Sequence, residues 1–412
     1  MRKNVIKTDV LIIGGGLSGL TLAGVLGQAG VNVAVIDRDP PISQLTEKYD
    51  ARATALSYAT QQVLESAGVW DAIKSRAEPL KDIRVADGAS PLFLHFDESH
   101  SGGKPFGWNI ENILLRKALF DNVKRLKKNV HHFAPVEIKK FTRDETSAGV
   151  MLKDGRRITA PLLIGADGRG SAVRKWLGID VKTADYKQNA IVCTIAHAKN
   201  HHNVALEHFL PAGPFAVLPL TKSVDGKFRS SVIWSVHGPD AADIVRLPSE
   251  DFDAELQKLC GDHLGRVHCI TNPRAYPLSL MHAERYTGER TALMAEAAHV
   301  IHPIAGQGLN LGMRDVALLS ELIVTRLRLG LDIGAPSLLE EYENIRRADT
   351  HLMAAFTDGL NRLFSNNLKS IAAARHLGLG IVQKIPVLKG FFARQAMGLG
   401  GKAARPLRSK RL

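Results

Sequence analysis

Cysteine is scarce in this chain: three residues, Cys193, Cys260 and Cys269, among 412. The number is odd and no pair has Cys-x-x-Cys or metal-ligand spacing, which excludes a disulfide scaffold and indicates a reducing, cytoplasmic setting. No internal repeat or low-complexity tract is present, so a repeat array is excluded as well. An uninterrupted apolar run of membrane length is also missing. Residues 10–36 carry no charge and follow Arg2, Lys3 and Lys7, the arrangement of a signal peptide or membrane helix, but seven glycines break them. Residues 377–399 are apolar yet hold Lys384, Lys389 and Arg394, which argues against a span and leaves core packing or an interfacial helix. Acidic residues are in deficit, 41 against 54 basic, for a net charge of +13. That excess suits anionic partners. Nucleic acid is not among them, because no basic stretch is interleaved with aromatics and no binding motif is found. Part of the excess sits in Lys402, Arg405, Arg408, Lys410 and Arg411, a tail that reads either as a solvated end or as a membrane-surface contact.

What remains is an ordinary globular composition, 45% hydrophobic and 23% charged, with length enough for two domains. Three glycine-bearing motifs stand out in it. The first, Gly14-Gly15-Gly16-Leu17-Ser18-Gly19, follows an apolar run at residues 9–13 that suits a buried parallel strand. Its glycines permit a tight turn and close approach to a pyrophosphate, and a helix over residues 18–29 offers its first amides. A second apolar strand, residues 33–36, ends at Asp37, 21 residues after Gly16, where a carboxylate that grips a ribose falls. The second motif, Gly165-Ala166-Asp167-Gly168, continues through Ser171 to Arg174 after another buried run. The third extends from Glu296 through His299, His302, Pro303, Gly306, Gln307, Gly308 and Asn310 to Gly312, between a strand at 291–294 and a helix at 309–329.

The intervening segments predict a helix at 56–67, strands at 83–86 and 92–96, a helix at 112–126 and short strands through 130–165. Residues 186–285 change texture. Strand-like runs at 191–196, 204–209, 215–219 and 230–236, broken by Pro and Gly, predict an antiparallel sheet inserted into the nucleotide domain. Apolar residues Leu338, Tyr342, Ile345, Leu352, Phe356, Leu360 and Leu363 keep a helical rhythm, which predicts one long packed helix over 337–364.

The third motif contains a competing signal. Glu296, His299 and His302 are spaced as metal ligands, and Glu-x-x-His is half of a di-iron carboxylate site. Such a site needs a second Glu-x-x-His, however, and Glu296 is the only glutamate with a histidine three residues later. Pro303 also breaks the helix that would align the ligands. No metal is expected.

All three motifs, in this order, resemble the FAD-dependent aromatic hydroxylases, the class A flavoprotein monooxygenases. Over essentially its full length the chain is similar to the FAD hydroxylases of ubiquinone biosynthesis. The narrower resemblance rests on Asp50-Ala51-Arg52-Ala53-Thr54-Ala55-Leu56, Leu115-Arg116-x-x-Leu119, Gly213-Pro214-Phe215-Ala216-Val217-Leu218-Pro219-Leu220 and Val232-Ile233-Trp234. The third motif departs from the family's usual Gly-Asp-Ala-Ala-His, reading Ala295-Glu296-Ala297-Ala298-His299.

The resemblance implies an α/β fold: a Rossmann-like FAD-binding domain (1–80, 101–185, 286–335), an inserted antiparallel-sheet substrate domain (81–100, 186–285) and C-terminal helices with a basic tail (336–412). It implies FAD contacts from Gly14, Gly16, Ser18, Gly19, Asp37 and Arg38, and from Arg52 and Arg116 to phosphates or ribityl chain. Asp167 would serve FAD and the docking of the reductant, with Arg174 orienting that segment. Glu296 replaces the aspartate of the ribityl contact, its extra methylene shifting the geometry. Pro303, Gly306, Gln307, Gly308, Leu309 and Asn310 would lie at the flavin ring, the helix amides facing the edge where negative charge accumulates on reduction. His201, His202 and His208 read as surface residues.

The implied activity is hydroxylation of a polyprenylated phenol with NAD(P)H and O2, through a flavin C4a-hydroperoxide. Water is excluded from the site, and no acid or base is assigned. No second glycine-rich nucleotide motif is present, which suits transient docking of NAD(P)H. The alternative is a flavin-bound scaffold of a quinone-biosynthesis complex with little turnover. A halogenase is disfavoured by the lack of a Trp-x-Trp-x-Ile-Pro element. A greasy substrate and the basic tail add peripheral contact at the inner face of the membrane to the expectations.

Overall fold

The computed structural model describes residues 5–88, 93–302, 304–364 and 386–399. Strands Val10–Ile13, Val33–Ile36 and Leu162–Gly165 are buried at every position, the unbroken apolar pattern of a parallel sheet covered on both faces. They form the middle of a six-stranded sheet. Val130–Phe133 lies beyond Val33–Ile36, and Thr291–Leu293 lies beyond Leu162–Gly165, edged by the antiparallel Thr287–Gly288. Helix Leu17–Gln28 is buried along most of its length and packs between helices Asn112–Arg125 and Gln307–Arg328. A four-stranded sheet (Val5–Lys7, Arg157–Ala160, Ala148–Leu152, Ile138–Arg143) joins the same core.

The second large sheet is built around the 17-residue strand Val181–His197. Phe228–His237 and Arg274–Ala283 pair with it antiparallel on either side, the latter with a register shift between Asp185 and Asn189. Gly213–Leu220, Val204–Leu210, Asp82–Asp87 and Phe93–Phe96 extend one edge, and His299–Val300 closes the other. The alternation of side chains assigns the two faces different tasks. Ile191, Cys193, Ile195, Phe215, Val217, Val232 and Trp234 form a core with helix Ser249–Cys260. Their neighbours Ala190, Val192, Ala216, Leu218 and Ile233 face the cavities described below. The third motif therefore belongs to both sheets: it follows a strand of the first and contributes the edge strand of the second.

Several expectations need correction. Residues 56 and 57 end strand Ala53–Ser57, which pairs with Gly107–Glu111, and the helix begins at Tyr58 with the Ser57 hydroxyl accepting from the Thr60 N–H. Helix Ser249–Cys260 lies within the segment read as sheet; Phe252, Leu256 and Cys260, four apart, are its buried stripe. Helix Pro336–Phe364 forms as one element but is not packed throughout. Leu338 and Tyr342 are buried, while Leu352 is 69% exposed. His201 is buried, its Nε2 3.2 Å from the Leu220 carbonyl, and not on the surface. Among the described residues no helix is long and apolar enough to cross a membrane. Pro303 and the tail at 402–412 lie outside the described residues.

Leu163 is fully buried in the central parallel sheet. Leu163→Ala is expected to lower the unfolding free energy by about 2–5 kcal/mol. Leu329→Ala, at a 67% exposed position, should change it by less than about 0.5 kcal/mol. Guanidinium titration of both variants checks the contrast.

Candidate active site

A cavity of about 570 Å³ lies between the two large sheets, and all three motifs reach it. Their convergence depends on close backbone approach. A side chain at Gly14, where φ is +110°, would stand 2.3 Å from the Ala166 carbonyl oxygen, so the first and second motifs meet there. Two helices begin at the cavity, Leu17–Gln28 after Gly16 and Gln307–Arg328 after Gly306, and neither has a side-chain cap. Their first turns present uncapped amides and positive dipole ends to one volume.

Gly16 and Gly308 line the cavity without positive φ, and a Cβ on either would meet no protein atom within 4 Å. Neither backbone conformation nor protein packing calls for glycine there; a ligand filling the space does. Arg116 gives the same indication. It lines the cavity at 5% exposure, donates from Nη1 to Gln44 Oε1 at 3.0 Å, and its Nε has no hydrogen-bond partner among the described residues. Arg52 lies opposite, its guanidinium bidentate on Asp50 at 2.8 and 3.0 Å and 5.2 Å over the Tyr276 ring. Burial alone would raise the Asp50 carboxyl, but Arg52 and the Asn112 amide hold it below its ordinary value. Two helix ends and two arginines suit an elongated anionic ligand.

The third motif is fixed from behind. Asp315, fully buried, accepts from the Ala295 N–H at 2.8 Å, pairs with His299 Nε2 at 2.7 Å and binds Arg346 Nε at 2.5 Å. Arg346 and Arg314 share Asp349 in turn. Ala295 has φ +51°, a left-handed conformation that suits glycine. Beyond it Glu296 is exposed to the cavity, with no hydrogen-bond partner among the described residues. His302 points elsewhere, buried, with Nε2 3.3 Å from Gln188 Oε1 and its ring edge-on to Tyr186. Burial brings its pKa down to about 4, so its ring is neutral at neutral pH. Glu296, His299 and His302 thus have three separate environments and do not converge as ligands.

The other residues singled out in the sequence are distributed as follows. Ser18, Leu309 and Gly306 line the cavity. Gly19 packs on Gly14, its Cβ position 2.1 Å from the Gly14 carbonyl oxygen. Asp37 accepts from the Gly15 N–H at 2.9 Å, fixing the glycine turn. Arg38 is exposed, with its side chain outside the cavity. The Asp167 carboxylate accepts from Ser171 Oγ and from the amides of Ala172 and Val173, capping a short helix and not facing the cavity. Arg174 ties the second motif to the third by donating to the Ala297 and Arg169 carbonyls. Asn310 donates to the Ala55 and Gly306 carbonyls and accepts from the Ser57 N–H and Thr60 hydroxyl. Asp315 and Arg346 were missed. Asp315 has one sequence signal, a charge on an otherwise apolar helix stripe, Leu311-x-x-x-Asp315-x-x-x-Leu319, and Arg346 lies on another helix.

A second, smaller cavity of about 80 Å³ shares Ala55, Leu218, Ile233 and Gly306 with the first. Its lining is mainly apolar, including Leu80, Ile83, Phe106, Ala205 and Ala216. Ala396, on helix Pro386–Ala396, closes one side.

Burial alone would raise the Asp315 carboxyl, but the charges of His299 and Arg346 bring it from 3.8 down to about 2. A carboxyl depressed by folding contributes stability above its unfolded pKa, and that contribution disappears as pH falls from 3.8 through about 2. Asp315→Asn is expected to cost about 3–5 kcal/mol at pH 7 by leaving Arg346 short of a buried counter-charge. It should also flatten the acid limb of a stability–pH curve, measured by denaturant titration.

A family model described as an FAD binding domain matches residues 7–357. The chain is 46% identical to ubiquinone hydroxylase UbiL of Rhodospirillum rubrum, an alignment covering 97% of this chain and 92% of that protein. It is 32% identical to the 3-demethoxyubiquinol 3-hydroxylase of Escherichia coli, covering 95% and 99%. In fold it resembles p-nitrophenol 4-monooxygenase PnpA of Pseudomonas putida, with a TM-score of 0.78 at 19% identity over 97% of this chain and 100% of that one. With its three motifs gathered on one cavity and these relatives matched along nearly their whole length, the chain belongs to the FAD-dependent ubiquinone hydroxylases.

Proposed function

We propose that this enzyme hydroxylates the aromatic ring of a polyprenylated phenol in ubiquinone biosynthesis, using FAD, NAD(P)H and O2. The observation that carries the reading is the meeting of two unlike cavities at Gly306: one large and basic, the other small and apolar. The larger would hold the cofactor. The uncapped helix at Gly16 and the guanidinium of Arg116 would bind its diphosphate, Asp37 fixes the turn beside it, and Glu296 would serve its ribityl hydroxyls. The amides that open helix Gln307–Arg328 would serve the flavin. Bound there, FAD supplies the redox chemistry: two electrons from NAD(P)H activate dioxygen, one oxygen atom enters the ring and the other leaves as water.

The chain's own residues position the substrate and keep water out. Ala205, Ala216 and Gly107 leave a slot for the ring, and Phe106 and Ile83 supply apolar walls. The isoprenoid tail would leave on the side closed by Ala396 of helix Pro386–Ala396, next to the packed cluster of Phe96, Phe106, Ala393 and Met397. No side chain is required as proton donor for this arrangement to orient the ring. Peripheral membrane contact suits the net charge of +13 and the exposed Ile345, Leu352 and Phe356 on one long helix. Sedimentation with anionic liposomes, with and without residues 402–412, tests it; equal soluble fractions would end the idea.

Two measurements test the main reading. Gly308→Ala places a methyl group in the cavity and against no protein atom. Thermal stability of the apoprotein is expected to hold or rise, while FAD affinity, followed by flavin fluorescence, falls by roughly tenfold or more. NAD(P)H oxidation by the flavin-loaded enzyme is expected to accelerate when a prenylated phenol is added. An unchanged rate would count against hydroxylation.

A further inference from the structure

The small cavity contains one polar group that the fold does not use. Ser235 lies on strand Phe228–His237, opposite Ala190 and two residues from Ile233, on the face of the sheet that lines the cavity. The residue is 1% exposed, and its Oγ has no hydrogen-bond partner among the described residues. Other polar groups on the same lining are engaged. The Ser57 hydroxyl bonds Thr60, Asn310 makes four hydrogen bonds, and Glu207 and Gln307 have partners of their own. Burial of a hydroxyl without a partner costs stability, and alanine would preserve the Cβ without that cost. A lone buried hydroxyl beside an apolar cavity is what a bound polar atom would complete.

Resting on the hydroxylase reading, we propose that Ser235 is a specificity-determining residue: its Oγ hydrogen-bonds a ring oxygen of the aromatic substrate and so selects which ring carbon faces Gly306. The placement supports this role. Ile233, two residues away on the same face, borders both cavities, so Ser235 stands one side chain back from their junction. A ring held there by its oxygen has one rotational freedom removed. The small neighbours Ala205, Pro214 and Ala216 constrain the rest by shape alone.

The test compares Ser235→Ala with the unmodified, flavin-loaded enzyme on a short-chain prenylphenol. Flavin reduction by NAD(P)H without phenol should be unchanged. The yield of hydroxylated product per NAD(P)H should fall by roughly tenfold, with hydrogen peroxide making up the difference and the product distributed over more than one ring position. The thermal midpoint of the variant without phenol should equal or exceed that of the parent, because an unpaired buried hydroxyl has been removed. Unchanged coupling and regiochemistry in an active enzyme would overturn the role of Ser235. A lower midpoint with the same coupling would reassign the hydroxyl to the fold. If phenol fails to stimulate the unmodified enzyme, the hydroxylase reading itself falls, and the Ser235 role with it.

Discussion

The third motif of the candidate site is built against the buried Asp315. One carboxylate collects a backbone amide from Ala295, a ring nitrogen from His299 and a guanidinium from Arg346. Those three donors come from the loop after strand Thr291–Leu293, from the edge strand of the second sheet and from the long helix Pro336–Phe364. Buried ion pairs add little net stability compared with an apolar core of the same shape, and losing one partner is costly. The gain is positional. The carboxylate holds the Ala295-Glu296 peptide at the cavity wall, and Arg346 carries the constraint on to Asp349 and Arg314.

The charge of the chain gains a local meaning from this frame. Much of the basic excess is surface, but Arg52 and Arg116 are drawn inward around Asp50. Two helix ends add partial positive charge without any side chain, because the residues ahead of them are glycines. The cavity is therefore basic by backbone as much as by composition, which net charge alone does not reveal. The second cavity, one glycine away, has almost no charge. Placing the two side by side allows an anionic cofactor and a greasy ring to approach each other while each keeps its preferred surroundings.

The sequence made the first sheet legible because its strands are short, wholly apolar and followed by glycine turns. Gly16 and Gly308 line the cavity as their motifs suggested, whereas Asp37, read from its spacing as a ribose carboxylate, accepts from the Gly15 amide and holds the glycine turn. Other parts were hidden. Ser57 ends a strand whose partner, Gly107–Glu111, lies fifty residues away, so local pattern mistook the strand end for the first turn of a helix. Helix Ser249–Cys260 carries its stripe inside a region dominated by strands, and composition masked it. Asp167, given a cofactor role by the resemblance, has its carboxylate on the first amides of the helix that follows. Asp315, Arg346 and Ser235 carry no motif at all. Their importance arises from burial and from partners present or missing, quantities that only the folded chain defines.

The left-handed Ala295 has a consequence for the helix it faces. A Cβ built on Gly312 would lie 3.0 Å from the Ala295 Cβ. The glycine on the helix is thus the space into which the alanine methyl fits, and the two positions form one steric unit. The same Cβ would also stand 3.0 Å from the Ser18 Oγ, so the helix glycine is required by the first motif as well as by the alanine. Gly312 is the point where the first motif, the third motif and helix Gln307–Arg328 close on one another.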